Sequence, residues 1–115
     1  MTNLFSCEPY IIYRGSALDV LPNLQPVDCV ITSPPYYKQR TYGVNPSELG
    51  RESSVVEYIA NLVNVFKAVS LAPWGSIWVN LGDKRGKFGE LVGIPERFCI
   101  AMNDAGFYQI GRAHV

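Results

Sequence analysis

Apolar residues recur along this chain in two rhythms. Val55, Ile59, Leu62, Phe66 and Val69 fall at alternating spacings of four and three, which draws one buried stripe along a helix. Ser54 and Glu57 form a capping box at its start, and Pro73 and Gly75 end it beyond Leu71. A second helix is expected with Pro95 in its first turn, Phe98, Met102 and Ala105 on one face, and Gly106 as its stop. Between these lie short, nearly continuous apolar runs, Val27–Thr32 and Ser76–Leu81. Such runs suit strands buried on both faces of a parallel sheet. Ile11-Ile12-Tyr13 reads as an earlier strand ending at Gly15, residues 17–24 as a short helix or turn, and Phe107-Tyr108-Gln109 as the start of a last strand. Residues 37–53 read as an extended loop, and Trp74, Trp78, Phe66 and Phe98 are expected in the core.

The order is strand, short helix, strand, helix, strand, helix, strand. Such alternation predicts an α/β fold with a mostly parallel sheet. Ligands in these folds gather beyond the carboxyl ends of the strands. The two least ordinary loops, 33–45 and 82–93, both leave carboxyl ends and should share one edge.

With 115 residues the chain is a single domain at most, and 48% hydrophobic residues is ordinary for a globular one. No stretch reaches the roughly 20 apolar residues of a membrane helix, and the start does not read as a signal peptide. Cys7, Cys29 and Cys99 follow no disulfide or zinc spacing, so inert thiols in a reducing cytoplasm and no metal are expected. Ten Lys and Arg balance ten Asp and Glu, leaving no global basic field, yet Lys38, Arg40, Lys84, Arg85 and Lys87 sit in the two unusual loops. The last three read first as solvated charges.

The distinctive chemistry lies at Thr32-Ser33-Pro34-Pro35-Tyr36. Two prolines fix two φ angles, remove two N–H donors and hold their predecessors extended. The carbonyls of Ser33 and Pro34 are left as acceptors without local donors, the Ser33 hydroxyl can also accept, and Tyr36 adds a flat ring. That corner suits a planar group bearing an exocyclic NH₂. Alone, a Ser-Pro-Pro-Tyr is usually only a turn.

The loop resembles the catalytic motif of the amino-group DNA methyltransferases, Asp/Asn/Ser-Pro-Pro-Tyr/Phe. Its flanks are similar to the family as well: Gly15–Pro22 and Val27–Ile31 before it, then Tyr42-Gly43, Leu49–Glu52, Trp78–Asp83, Leu91–Pro95 and Asp104–Tyr108. The resemblance covers about residues 11–109 and implies part of a Rossmann-like S-adenosylmethionine-dependent methyltransferase fold. It implies methyl transfer from S-adenosylmethionine to the amino nitrogen of a base flipped from double-stranded DNA. By carry-over, Ser33 and the Pro34 carbonyl hold the amino group, Pro35 sets the geometry and Tyr36 stacks on the base. Ser16 and Asp83 would neighbour the cofactor, and Lys38 and Arg40 would meet DNA phosphates. Asp83 at a strand end could equally be a turn former. Ser33 in the first position favours cytosine-N4 over adenine-N6, and argues against methylation of RNA or a protein amide. Ser16 departs from the Asp common among relatives. A non-catalytic nucleic-acid-binding remnant is the rival of another class.

The resemblance also implies an N-terminal portion of a longer prokaryotic or phage-encoded protein. A glycine-rich cofactor loop of the Asp-Pro-Phe-x-Gly-Ser-Gly kind does not occur in these residues. Residues 1–109 are expected to belong to the catalytic domain, and Ile110–Val115, including His114, to be non-native read-through resembling translated sequencing adapter. The 115-residue polypeptide alone is therefore expected to bind S-adenosylmethionine weakly or not at all and to be inactive. Titration calorimetry and a methyl-transfer assay check this, and robust methylation would overturn it.

Overall fold

A computed structural model describes residues 2–7, 9–38 and 49–112, so Arg40, Tyr42-Gly43 and His114 lie outside the described residues. The chain opens with β1 (Thr2–Cys7) and β2 (Tyr10–Arg14), which pair antiparallel. Helix α1 (Ala17–Val20) and a single 3₁₀ turn at Leu21–Asn23 lead into β3 (Val27–Thr32). Helix α2 (Val55–Lys67) then crosses to β4 (Leu71–Val79), and α3 (Ile94–Asp104) follows. Strands β3 and β4 run parallel, with Val30 opposite Ile77 and Thr32 opposite Val79. This α/β arrangement is compatible with part of a Rossmann-like methyltransferase sheet.

Half of the capping box expected for α2 is present, and Ser53 takes the place of the Ser54 N–H in the other half. The Ser54 hydroxyl accepts from the Glu57 N–H at 3.2 Å, while the Glu57 carboxylate accepts from the neighbouring Ser53 hydroxyl at 3.0 Å. Tyr58, Ile59, Leu62, Val63 and Phe66 of α2 are buried against Ile94, Phe98 and Met102 of α3. Rings Phe66 and Phe98 meet edge-on with centroids 5.6 Å apart. Val30, Ile77, Val79 and Leu81 supply the sheet side of this core. Each fully buried side chain of this size contributes about 1.5–3 kcal/mol.

Several expectations need correction. Helix α2 stops at Lys67, short of Leu71, and Pro73 and Gly75, expected to end it, lie inside β4. Ile11–Tyr13 does form a strand, but it pairs with β1 in a separate antiparallel ribbon. Phe107–Gln109 carries no ladder, although Phe107 still packs on the core. The run at Ser76 belongs to a longer strand beginning at Leu71, interrupted because β3 advances from Val27 to Cys29 while β4 advances from Leu71 to Ser76. Trp74 sits in that excursion at φ +64° and is fully exposed. Trp78 is 53% exposed and its cross-strand partner Ile31 is 82% exposed. These two point away from α2 and α3; only one face of the β3–β4 pair is covered among the described residues. Among the described residues no helix is long and apolar enough to cross a membrane.

Candidate functional site

Strand β3 ends with the Thr32 carbonyl accepting from the Asn80 N–H at 2.9 Å, so Ser33 leaves the sheet beside residues 80–82. The proline loop and the loop after β4 therefore share an edge, as the parallel pairing requires. Ser33 is exposed, Pro34 buried, Pro35 and Tyr36 half-buried, and Tyr37 buried. Among the described residues, no hydrogen bond reaches the Ser33 hydroxyl or the carbonyls of Ser33 and Pro34.

The next carbonyl is treated differently. Pro35 O accepts from the Tyr58 hydroxyl at 2.7 Å, and Tyr58 is fully buried. Burial, then the Glu52 charge, then Tyr36 push the Tyr58 phenol far above its usual range. It stays protonated and can serve as a donor. The ring of Tyr58 also packs at 5.3 Å from that of Tyr37. Helix α2 thus holds the proline loop by one charge-free strut and one aromatic contact.

A second tie comes from residues 50–52. Lys38, at φ +52°, donates its N–H to the Gly50 carbonyl at 2.7 Å. The Gly50 N–H in turn donates to the Glu52 carboxylate at 2.8 Å, whose other oxygen accepts from Asn61 of α2 at 3.0 Å. Glu52 is the buried charged residue of the described core. Gly50 has φ +100°, and a methyl there would lie 2.9 Å from the Tyr36 carbonyl, so both conformation and space call for glycine. Gly82 meets the other side of the motif: a methyl on it would come within 2.7 Å of the Tyr36 ring. The ring position depends on that missing side chain.

Of the residues expected near a cofactor, Ser16 is exposed at the start of α1 and its side chain makes no capping bond. No hydrogen bond joins it to the proline loop among the described residues. Asp83 follows Gly82 and so lies on the motif's edge, but its carboxylate is already engaged. It accepts from the N–H groups of Lys84 at 2.8 Å, Gly93 at 3.0 Å and Ile94 at 3.1 Å, clasping the loop shut at the start of α3. Desolvation raises its pKa, but the hydrogen bonds from Ile94, Lys84 and Gly93 and the charge of Arg85 outweigh this and hold it below the usual carboxylate value. The chemistry of these two residues alone does not fit a nucleotide-sized cofactor. Lys38 is exposed on the same edge with its ammonium 5.6 Å from the Tyr37 ring. Among the described residues no group of His, Cys, Asp and Glu could hold a metal.

Sequence reasoning missed Tyr58, Glu52, Asn61, Gly50 and Gly82. One signal was present: Tyr58 shares a helix face with Leu62, and a buried tyrosine needs a partner for its hydroxyl.

Comparison with curated proteins matches this edge and its flanks to methyltransferases. The chain is 32% identical over 129 residues to the Type II methyltransferase M.Cfr9I of Citrobacter freundii, covering 84% of this chain and 43% of that protein. It is 30% identical over 139 residues to the Type II methyltransferase M.SmaI of Serratia marcescens, covering 93% and 46%. A third relative, the Type II methyltransferase M.SfiI of Streptomyces fimbriatus, is 33% identical over 86% of the chain and 28% of its own length. The chain belongs to the Type II methyltransferase family. This methyltransferase segment spans less than half the length of these relatives. No family model matches it, and no solved structure does.

Two consequences can be measured on the segment. Tyr58→Phe keeps the ring but removes the donor to Pro35, and should lower the unfolding free energy in urea by about 1 kcal/mol. An unchanged value would mean the strut contributes nothing. Asp83 has a folded pKa below its unfolded one, so its stabilisation is complete above about pH 4 and is lost as pH falls through the folded value. Asp83→Ala should therefore destabilise at neutral pH, and its deficit should shrink towards about pH 3. A deficit that is constant with pH would remove the carboxylate from the account.

Proposed function

We propose that this segment supplies the base-holding corner of a site-specific DNA methyltransferase that uses S-adenosylmethionine to methylate an exocyclic amino group, with cytosine-N4 favoured. The observation that carries the reading is the contrast within one loop. Among the described residues the acceptors of Ser33 and Pro34 meet no donor, whereas the Pro35 carbonyl is tied down by Tyr58. Two free oxygens beside a half-buried tyrosine ring are what a planar NH₂-bearing group needs. Gripping both N–H bonds turns the nitrogen lone pair out of conjugation with the base ring. Tyr36, seated on Gly82, offers its ring for stacking. Rate enhancement then comes from orientation and electrostatics, with no covalent enzyme intermediate.

S-adenosylmethionine supplies the methyl group, and its main binding loop is assigned to sequence outside these 115 residues. Ser16 remains a candidate neighbour of it, with a hydroxyl free to bond. Asp83 would act there chiefly by fixing the edge. Lys38 and Arg40 are assigned to phosphates of double-stranded DNA. Ser33 supports cytosine over adenine as the target; adenine-N6 is the second reading, favoured by nothing seen in the fold. A non-catalytic nucleic-acid-binding remnant gains ground only if no methyl transfer accompanies DNA binding.

The test uses the polypeptide of the uninterrupted reading frame and labelled methyl transfer to duplex DNA, with nucleoside analysis of the product. Ser33→Ala and Tyr36→Ala should each lower transfer by two or more orders of magnitude, about 3 kcal/mol of transition-state stabilisation, while leaving the melting profile in place. Undiminished rates in both variants would end the mechanism.

A further inference from the structure

The loop between β4 and α3 occupies the motif's edge, yet methyl transfer gives it no task. It folds back on itself as a small hairpin. Arg85 bridges Leu91, the Val92 N–H donates to Lys84 O at 2.9 Å, and the Gly86 N–H donates to Glu90 O at 2.8 Å. The Arg85 guanidinium donates to the Gly89 carbonyl at 2.8 Å and braces the turn. Asp83 clasps its two ends through Lys84, Gly93 and Ile94, directly beside Gly82, where the Tyr36 ring rests. The projection is therefore stiff and rooted next to the base-holding corner.

Its surface is specific in kind. Lys84, Arg85 and Lys87 outnumber the one carboxylate between Lys84 and Leu91, Glu90, which is exposed and accepts from the Phe88 N–H at 3.2 Å. With Asp83 counted at the root, whose carboxylate feels the Arg85 charge, one positive charge remains in excess over residues 83–91. At the apex Phe88 is 87% exposed, with the Lys87 ammonium 5.7 Å from its ring centre. A lone exposed apolar residue needs no explanation. A phenyl ring held out on a braced, cation-flanked turn beside a site for a flipped base fits a duplex, where cations meet phosphates and an apolar ring can enter a base step.

We propose that the Lys84–Leu91 hairpin is a second DNA contact, with Lys84 and Lys87 on backbone phosphates and Phe88 against the base stack next to the reacting nucleotide. The identity of the partner rests on the DNA-methylation reading. The test is fluorescence anisotropy of a labelled duplex titrated with the polypeptide of the uninterrupted reading frame across a range of KCl concentrations, with methyl transfer measured on the same protein. Lys84→Gln with Lys87→Gln should reduce the slope of log affinity against log salt by about 2. Phe88→Ala should weaken binding roughly tenfold at an unaltered slope, and Phe88→Tyr should restore it. No duplex binding, a slope unmoved by the double lysine variant, or preference for RNA of the same sequence would each overturn the proposal. Loss of methylation in Ser33→Ala with unmoved hairpin slopes sinks the hairpin alone. Full methylation in Ser33→Ala with the expected slopes sinks the methyl-transfer mechanism alone.

Discussion

A loop built on two consecutive prolines cannot hold itself in place, because it has given up the donors that ordinary turns use. What fixes this one is a hydrogen bond from outside, the Tyr58 hydroxyl to the Pro35 carbonyl at 2.7 Å. Tyr58 in turn is placed by the buried face of α2, packed on α3 and on the covered side of β3 and β4. The core and the motif are thus one construction. Losing the helix packing would release the loop, and the loop's rigidity is inherited from the buried core.

Because Tyr58 is fully buried and remains protonated, the strut is insensitive to pH over the range in which nucleic acids are stable duplexes. It also selects among the loop's oxygens. Tying the Pro35 carbonyl, while those of Ser33 and Pro34 meet no donor among the described residues, divides the loop into a braced half and an unbraced half. Gly50 and Gly82 complete the division by letting the chain approach Tyr36 from two sides, so the ring is set by backbone as well as by side chains.

The helices were legible because an amphipathic stripe with caps is a local pattern, and the Ser54 hydroxyl caps the Glu57 N–H as read. The parallel β3–β4 pair and the shared edge followed from alternation of elements. Less was legible where burial depends on what lies opposite. Ile31 and Trp78 carry the composition of a sheet covered on both faces, yet both face solvent as cross-strand partners. Trp74 lies in an irregularity that hydropathy cannot register. At the site, the motif residues stood out by type, whereas Glu52, Asn61 and Tyr58 act through contacts with residues distant in sequence, which spacing does not reveal. Asp83 was readable as either a turn former or a pocket residue, and its three backbone donors give it the first role.

Net charge was the weakest guide, and the fold explains why. Three carboxylates near the motif's edge are held by nearby neutral donors: Glu52 by Gly50 and Asn61, Asp83 by three backbone amides, and Glu90 by Phe88. Lys38 and Lys87 meet no carboxylate among the described residues; their recorded contacts are with the rings of Tyr37 and Phe88. A chain whose ten cations balance ten anions can in this way hold its carboxylates in fixed contacts while Lys38 and Lys87 lie against rings. The same hydrogen bonds that stiffen the loops fix where the carboxylates sit, so the rigidity of this edge and the placement of its charges arise from one arrangement.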